Sequence, residues 1–333
     1  MALRTAGDRP PLFLVHPVSG SVTPYLALVD LLDPGQPVYA FEYPIGDGAP
    51  ETVADIAAHY VTALRRAHPA GPYRLGGWSA GGVIAYEMAR LLRAAGAEVE
   101  ALVLLDSGAP GASDGVPGSG DGAPDLAGGV PDPSYSAPDP ADRVQGLAEG
   151  ALAPAEGTPV PAGGAPAPAG GGAAAPEPTD DAAALALFVQ DLALLQAAPD
   201  PGVDPEALRA LPAEQRTDTV LTLLEERALV PAGTRAEVRR RFGVFAVVLR
   251  AVLRYRPGPL DLAVTVIEAA DTPDGGPADG VAATWRPLAP VRAEQVPGTH
   301  HTMLRPPHLA RLAEVLGAHI ETPRPTPTDH GRG

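Results

Sequence analysis

In the first third of the chain, short apolar runs alternate with stretches whose apolar positions recur every three or four residues. PLFLVH at 11–16 is continuous and apolar, as expected of a strand buried on both faces of a parallel sheet. After the turn PVSGS, Pro24 opens a helix with Tyr25, Leu28, Val29 and Leu32 on one face. PVYAF at 37–41 predicts the next strand. Between Glu51 and His68 the stripe Val53, Ile56, Ala57, Tyr60, Val61 and Leu64 predicts a helix, ended by Pro69 and Gly71. Tyr73 to Leu75 predicts a strand, Val83 to Arg93 a helix, and VEALVLLD at 99–106 a further buried strand. This alternation predicts the α/β class: a mostly parallel sheet with helices on both faces.

The pattern breaks after Ser107. Residues 108–180 are dominated by Gly, Ala, Pro, Ser and Asp. VPAGGAPAPAGGGAAAPEP cannot bury enough apolar area to offset its ordering entropy, so the stretch reads as a disordered insert, with a brief helical turn near Val144 to Leu152. From Asp181 the helical period returns. Ala184 to Gln196 is apolar nearly all round; Pro205 to Leu211, Thr217 to Arg227 and Thr234 to Arg256 follow, the last burying Val238, Phe242, Phe245, Val248, Leu249 and Val252. These helices, at 181–257, predict a lid inserted between sheet strands. The cluster Arg235, Arg239, Arg240 and Arg241 reads as a solvated helix face, with docking as the alternative. The sheet then resumes: Leu260 to Glu268 as a strand, Ala278 to Trp285 as a short helix, Val291 to Val296 as the last strand, and Pro306 to Ile320 as a terminal helix. The expected organisation is therefore core at 1–107 and 258–322, insert at 108–180, lid at 181–257 and a flexible tail at 323–333.

Composition narrows the classes. With 24 basic against 40 acidic residues the formal charge is −16, which argues against a nucleic-acid partner. There are no cysteines, hence no disulfide, thiol nucleophile or thiolate metal site, and no metal is expected. The N-terminus MALRTAGDRPPLFLV breaks into charge and proline before any apolar run, so it does not read as a signal peptide. No apolar stretch approaches the roughly 18 residues of a membrane helix. The expectation is a soluble cytoplasmic protein without a membrane partner.

The chemistry centres on GGWSAGG at 76–82, between a predicted strand and a predicted helix. In such a G-x-S-x-G the serine sits on a sharp strand-to-helix turn, and glycines flank it because a Cβ at Gly77 or Gly81 would meet the neighbouring strand or helix. Ser79 is thereby exposed at the top of the sheet, where the N–H of Ala80 and one from the loop near Val18 can hold an oxyanion. The bland alternative is a serine that only caps a helix. A serine hydroxyl needs a base, and the base needs an acid to fix its tautomer. His59, His68, His308 and His319 lie on predicted helices and His330 in the tail. His16 ends the first strand, where it is better placed to shape the oxyanion loop. That leaves His300 and His301, both in the turn after the last strand. Two acids compete: Asp106, ending LVLLD, and Asp271, following the Leu260–Glu268 strand. Each could instead simply cap a turn.

PPLFLVHPVSGS, QPVYAFEYP, GPYRLGGWSAGGVIAYEMARLL, VLLDS and PGTHHTMLRPPHLARLAEVL, in that order, resemble the thioesterase domains that end nonribosomal peptide synthetases and modular polyketide synthases. The resemblance spans about Pro11 to Ser107 and Pro205 to Ile320. It implies an α/β-hydrolase fold and a catalytic triad of Ser79, Asp106 and His300, since in G-x-H-x-x-M the first histidine is the base. It also implies Val18 and Ala80 as oxyanion donors; Asp271 stays the alternative acid from the strand-end reading. The implied reaction is release of an acyl or peptidyl chain from the phosphopantetheine thioester of a carrier protein, by hydrolysis or cyclisation, with no cofactor bound to the enzyme itself. Two features depart from the family: no carrier domain precedes residue 1, and the 108–180 insert is long. The first suggests an editing thioesterase that clears stalled carriers as an alternative, which an Asp271 acid would favour; the second blurs lid geometry and substrate size. A general serine esterase would use the same triad, and a non-catalytic interaction module would need none of it.

Overall fold

The computed structural model describes residues 1–46, 48–111, 180–271 and 280–320. The expectations for the insert, including the turn at 144–152, and for the tail from 323 fall outside these residues. Among these residues seven strands form one sheet: β1 (Ala2–Arg4), β2 (Leu12–Val15), β3 (Val38–Phe41), β4 (Tyr73–Trp78), β5 (Val99–Leu105), β6 (Val264–Ala269) and β7 (Val291–Val296). Their order is β1-β3-β2-β4-β5-β6-β7, and all neighbours are parallel except β1 with β3. No apolar alternation announces β1, a three-residue edge strand. It is tied in from outside, by the terminal amine donating to the Ala40 carbonyl at 2.9 Å.

The continuous apolar runs have a direct explanation. Along β2, Phe13 and Val15 enter the core under one face, while Leu12 and Leu14 enter the core under the other. β5 divides in the same way, Leu102 and Leu104 against Val103 and Leu105. Both faces are covered, so no polar alternation survives. Helices α2 (Val53–Ala67) and α3 (Ala80–Ala94) supply the first core with Ile56, Leu64, Ile84 and Met88. Helix α1 (Leu26–Leu31), entered through the 3-10 turn Thr23–Tyr25, closes the second core. Thr52 caps α2, its hydroxyl accepting from the Asp55 N–H at 3.1 Å.

Among the described residues, four helices lie between β5 and β6 in the chain: α4 (Asp181–Leu195), α5 (Pro205–Arg209), α6 (Ala213–Glu226) and α7 (Arg235–Arg254). Asp180 and Asp204 cap α4 and α5 by accepting from Ala183 and Glu206 N–H groups. Leu185, Phe188, Val189, Leu221, Leu224, Val238 and Phe245 form their own apolar cluster, with Phe188 edge-on to Phe242 and Phe245. Helix α7 belongs to two cores: Val238 and Phe245 face the lid, while Val248 and Ala251 face the sheet. Each arginine of the cluster has an acidic partner. Arg235 pairs with Glu225, Arg239 with Asp218, and Arg240 and Arg241 with Glu237. The short helix α8 (Gly280–Ala283) and the terminal α9 (Leu309–Ile320) complete the fold, α9 closing the second core through Leu312 and Leu316. Among the described residues, no helix is long and apolar enough to cross a membrane.

The close packing at the β4–α3 turn gives a quantitative expectation. A Cβ on Gly81 would stand 2.2 Å from the Val15 carbonyl oxygen and 2.6 Å from that of His16, both backbone atoms. Gly81→Ala, normally favourable inside a helix, should therefore cost about 1–3 kcal/mol by overpacking, read as a lowered denaturation midpoint. An unchanged midpoint would mean that β2 and α3 can move apart freely.

Candidate active site

Parallel strands bring their carboxyl ends to one edge, and the candidate residues collect there. Ser79 follows β4 with φ 56° and ψ −127°, a conformation costly for any residue bearing a Cβ. The surroundings enforce it. The Ser79 N–H donates to the Leu105 carbonyl at 3.0 Å, and the Ser79 carbonyl accepts from the Ser107 hydroxyl at 2.7 Å. At Gly77 a Cβ would lie 2.3 Å from the Gly81 carbonyl carbon, so α3 can start only against a bare backbone. One residue earlier, the Trp78 N–H donates at 2.8 Å to the Tyr25 hydroxyl, which donates at 2.6 Å to the Val15 carbonyl. Burial pushes the Tyr25 phenol above its ordinary range, so it stays a neutral donor.

Asp106 follows β5, next in the sheet to β4, and is likewise strained, with φ 42°. Its N–H donates to the Ile267 carbonyl at 2.7 Å, and its Oδ1 accepts from the Ala269 N–H at 3.0 Å. Its Oδ2 lies 2.7 Å from Nδ1 of His300. With Nδ1–H donating to that carboxylate, Nε2 of His300 is left to accept a proton. The His300 ring lies 5.0 Å from the Trp78 ring, beside the residue that precedes Ser79.

Asp271 is placed elsewhere. Its Oδ2 accepts from the Gly298 N–H at 3.1 Å, and its own N–H donates to the Gly298 carbonyl at 3.0 Å, joining the exits of β6 and β7. His301 points toward the lid, with Nε2 3.2 Å from Oδ1 of Asp191 on α4. His16 is fully buried, and both ring nitrogens are engaged: Nδ1–H donates to the Pro17 carbonyl at 2.7 Å and Nε2 accepts from the Tyr60 hydroxyl at 2.8 Å. Burial lowers its pKa to about 4, the hydrogen bond to Pro17 opposing the shift, so it is neutral and has no free lone pair to act as a base. The loop it anchors turns at Pro17–Gly20, closed by Gly20 N–H to Pro17 carbonyl at 3.0 Å, and carries Val18. Ala80 opens α3, where the first-turn N–H groups have no partner inside the helix.

Sequence reasoning did not single out Tyr25, Ser107 or Asp191. Ser107 stood in the VLLDS motif, but nothing local tells that its hydroxyl reaches the Ser79 carbonyl. A cavity of about 330 Å³ lined by Arg9, Asp33, Gln36 and Glu314 lies near the chain segments entering β2 and β3, away from the carboxyl-end residues.

Comparison with known proteins agrees with the sequence resemblance. The family model of the thioesterase domain matches residues 10–121. Malpibaldin synthetase of Mortierella alpina is 42% identical over 110 residues, 32% of this chain and 2% of the synthetase. A non-reducing polyketide synthase of Pseudevernia furfuracea is 40% identical over 111 residues, 32% of this chain and 5% of the synthase. The chain thus spans only a few hundredths of the length of these relatives. Among solved structures, the NocB thioesterase domain, in covalent complex with a fluorophosphonate nocardicin G analog, superposes with a TM-score of 0.54. It is 22% identical, with 95% of this chain and 96% of that one covered, which establishes the shared α/β-hydrolase fold.

Proposed function

We propose that this chain, whose residues 10–121 belong to the thioesterase domain family, is a serine thioesterase that releases an acyl or peptidyl chain from the phosphopantetheine thioester of a carrier protein. The observation that carries the reading is the 2.7 Å contact of His300 Nδ1 with Asp106, beside a serine held on a strained elbow. The Ser79 Oγ attacks the thioester carbonyl while Nε2 of His300 takes its proton. The oxyanion accepts from the Ala80 N–H and from an N–H of the 17–20 loop at Val18; each such donor is typically worth about 3–4 kcal/mol at the transition state. Collapse breaks the C–S bond, and the pantetheine sulfur leaves with the proton held by His300. Water, or a nucleophile within the chain, then gives its proton to His300 and attacks the acyl-serine, which frees the product as acid, lactone or lactam and restores Ser79.

Mass analysis of the products from a panel of acyl- and peptidyl-pantetheine thioesters, alongside p-nitrophenyl esters of the same acyl groups, tests this reading. Thioesters should be turned over with the higher kcat/KM. Preference for the small free esters would make the chain a general esterase instead.

A further inference from the structure

The lid touches both loops that flank Ser79, and one of these contacts is polar. Most side-chain bonds of the lid helices stay inside the lid: Gln196 donates to the Leu229 carbonyl, Arg216 to that of Leu211, and Arg235 to Glu225. Asp191 reaches out of it. From α4 its Oδ1 meets Nε2 of His301 at 3.2 Å, with both side chains about four-fifths buried. The His301 ring is edge-on to Trp78 at 6.0 Å and to His300 at 4.9 Å. Two consecutive histidines are therefore each pinned by a carboxylate, His300 from the end of β5 and His301 from the lid. On the other side α7 lies against the oxyanion loop. A Cβ on Gly20 would meet Val244 Cγ1 at 2.3 Å, and Val18 packs against both the sheet core and the lid cluster.

We propose that Asp191 is a positioning residue: through His301 it seats α4 on the loop that carries His300, so that lid closure and alignment of the base occur together. Asp106 and the Asp271–Gly298 pair hold this loop from the sheet side only, which leaves it freedom to swing about those contacts. The second pin on the adjacent residue removes it, and misplacing a catalytic group by even an ångström is costly in rate. The proposal rests on the assignment of His300 as base to Ser79.

The test is a double-mutant cycle on the full chain with two readouts: kcat on an acyl-pantetheine thioester, and the rate at which a small fluorophosphonate labels Ser79. Asp191→Ala and His301→Phe, the latter keeping a ring against Trp78, should each slow both readouts about fivefold at an unchanged melting temperature. The double variant should be no slower than either single one. Asp191→Asn, which keeps an acceptor oxygen, should recover most of the rate. An unchanged labelling rate in Asp191→Ala, or losses that multiply in the double variant, would overturn the proposal. Failure of the underlying assignment looks different, because His300→Ala would then keep most of both rates while His301→Phe would lose them by orders of magnitude.

Discussion

Ser79→Ala abolishes covalent labelling by a fluorophosphonate and lowers kcat on an acyl-pantetheine thioester by at least about 10⁴-fold, leaving only what substrate binding and the oxyanion donors supply. The fold should be untouched. Both side chains carry a Cβ, so the strain of φ 56° is the same in either protein, and the bonds that enforce the turn use backbone atoms of residue 79. Ser79 N–H still meets Leu105 and its carbonyl still meets the Ser107 hydroxyl. Only the Oγ is lost. A variant of wild-type melting temperature that becomes acylated by substrate would place the nucleophile elsewhere and end the serine-elbow reading.

Asp106→Asn lowers kcat by about 10⁴-fold while Asp271→Asn stays within about twofold. At position 106 one carboxylate oxygen is committed to the Ala269 N–H, which only an acceptor can satisfy. The amide of an asparagine must therefore turn its oxygen to Ala269 and its NH₂ group toward His300. Nδ1 then has to accept, the ring proton moves to Nε2, and the imidazole can no longer take a proton from serine. Asparagine tolerates φ 42° well, so the loss should come without unfolding. At position 271 the carboxylate only accepts from the Gly298 N–H, a task an amide oxygen performs equally. Steady-state kinetics on purified, folded variants decide the matter. A loss confined to Asp271→Asn would show that the acid is supplied from the other strand, and would favour the editing thioesterase over the chain-releasing one.

Some of this was legible in the sequence because its physical cause is local. A strand with both faces covered must be apolar throughout, so PLFLVH and VLL announce themselves. The stripe from Val53 to Leu64 fits a helix whose neighbours need not be known. The G-x-S-x-G turn is governed by collisions within a few residues, as Gly77 against Gly81 shows. Even the lid helices were visible, since each needs an apolar face to stay folded.

Other features had no local cause and were decided only by the tertiary structure. The strand β1 exists because β3 offers an open edge, not because Ala2–Arg4 has a pattern of its own. From the residues alone Asp106 and Asp271 were equivalent strand-end acids, separable only by family resemblance. Their geometric difference arises because β5 lies between β4 and β6, which turns Asp106 toward His300, 194 positions away in the chain. The same holds for Tyr25 under Trp78, Ser107 on the Ser79 carbonyl and Asp191 on His301. Periodicity and turn sterics fix which elements form; which side chains meet at the carboxyl edge depends on strand order and on where the lid is seated, and no window of neighbouring residues carries that information.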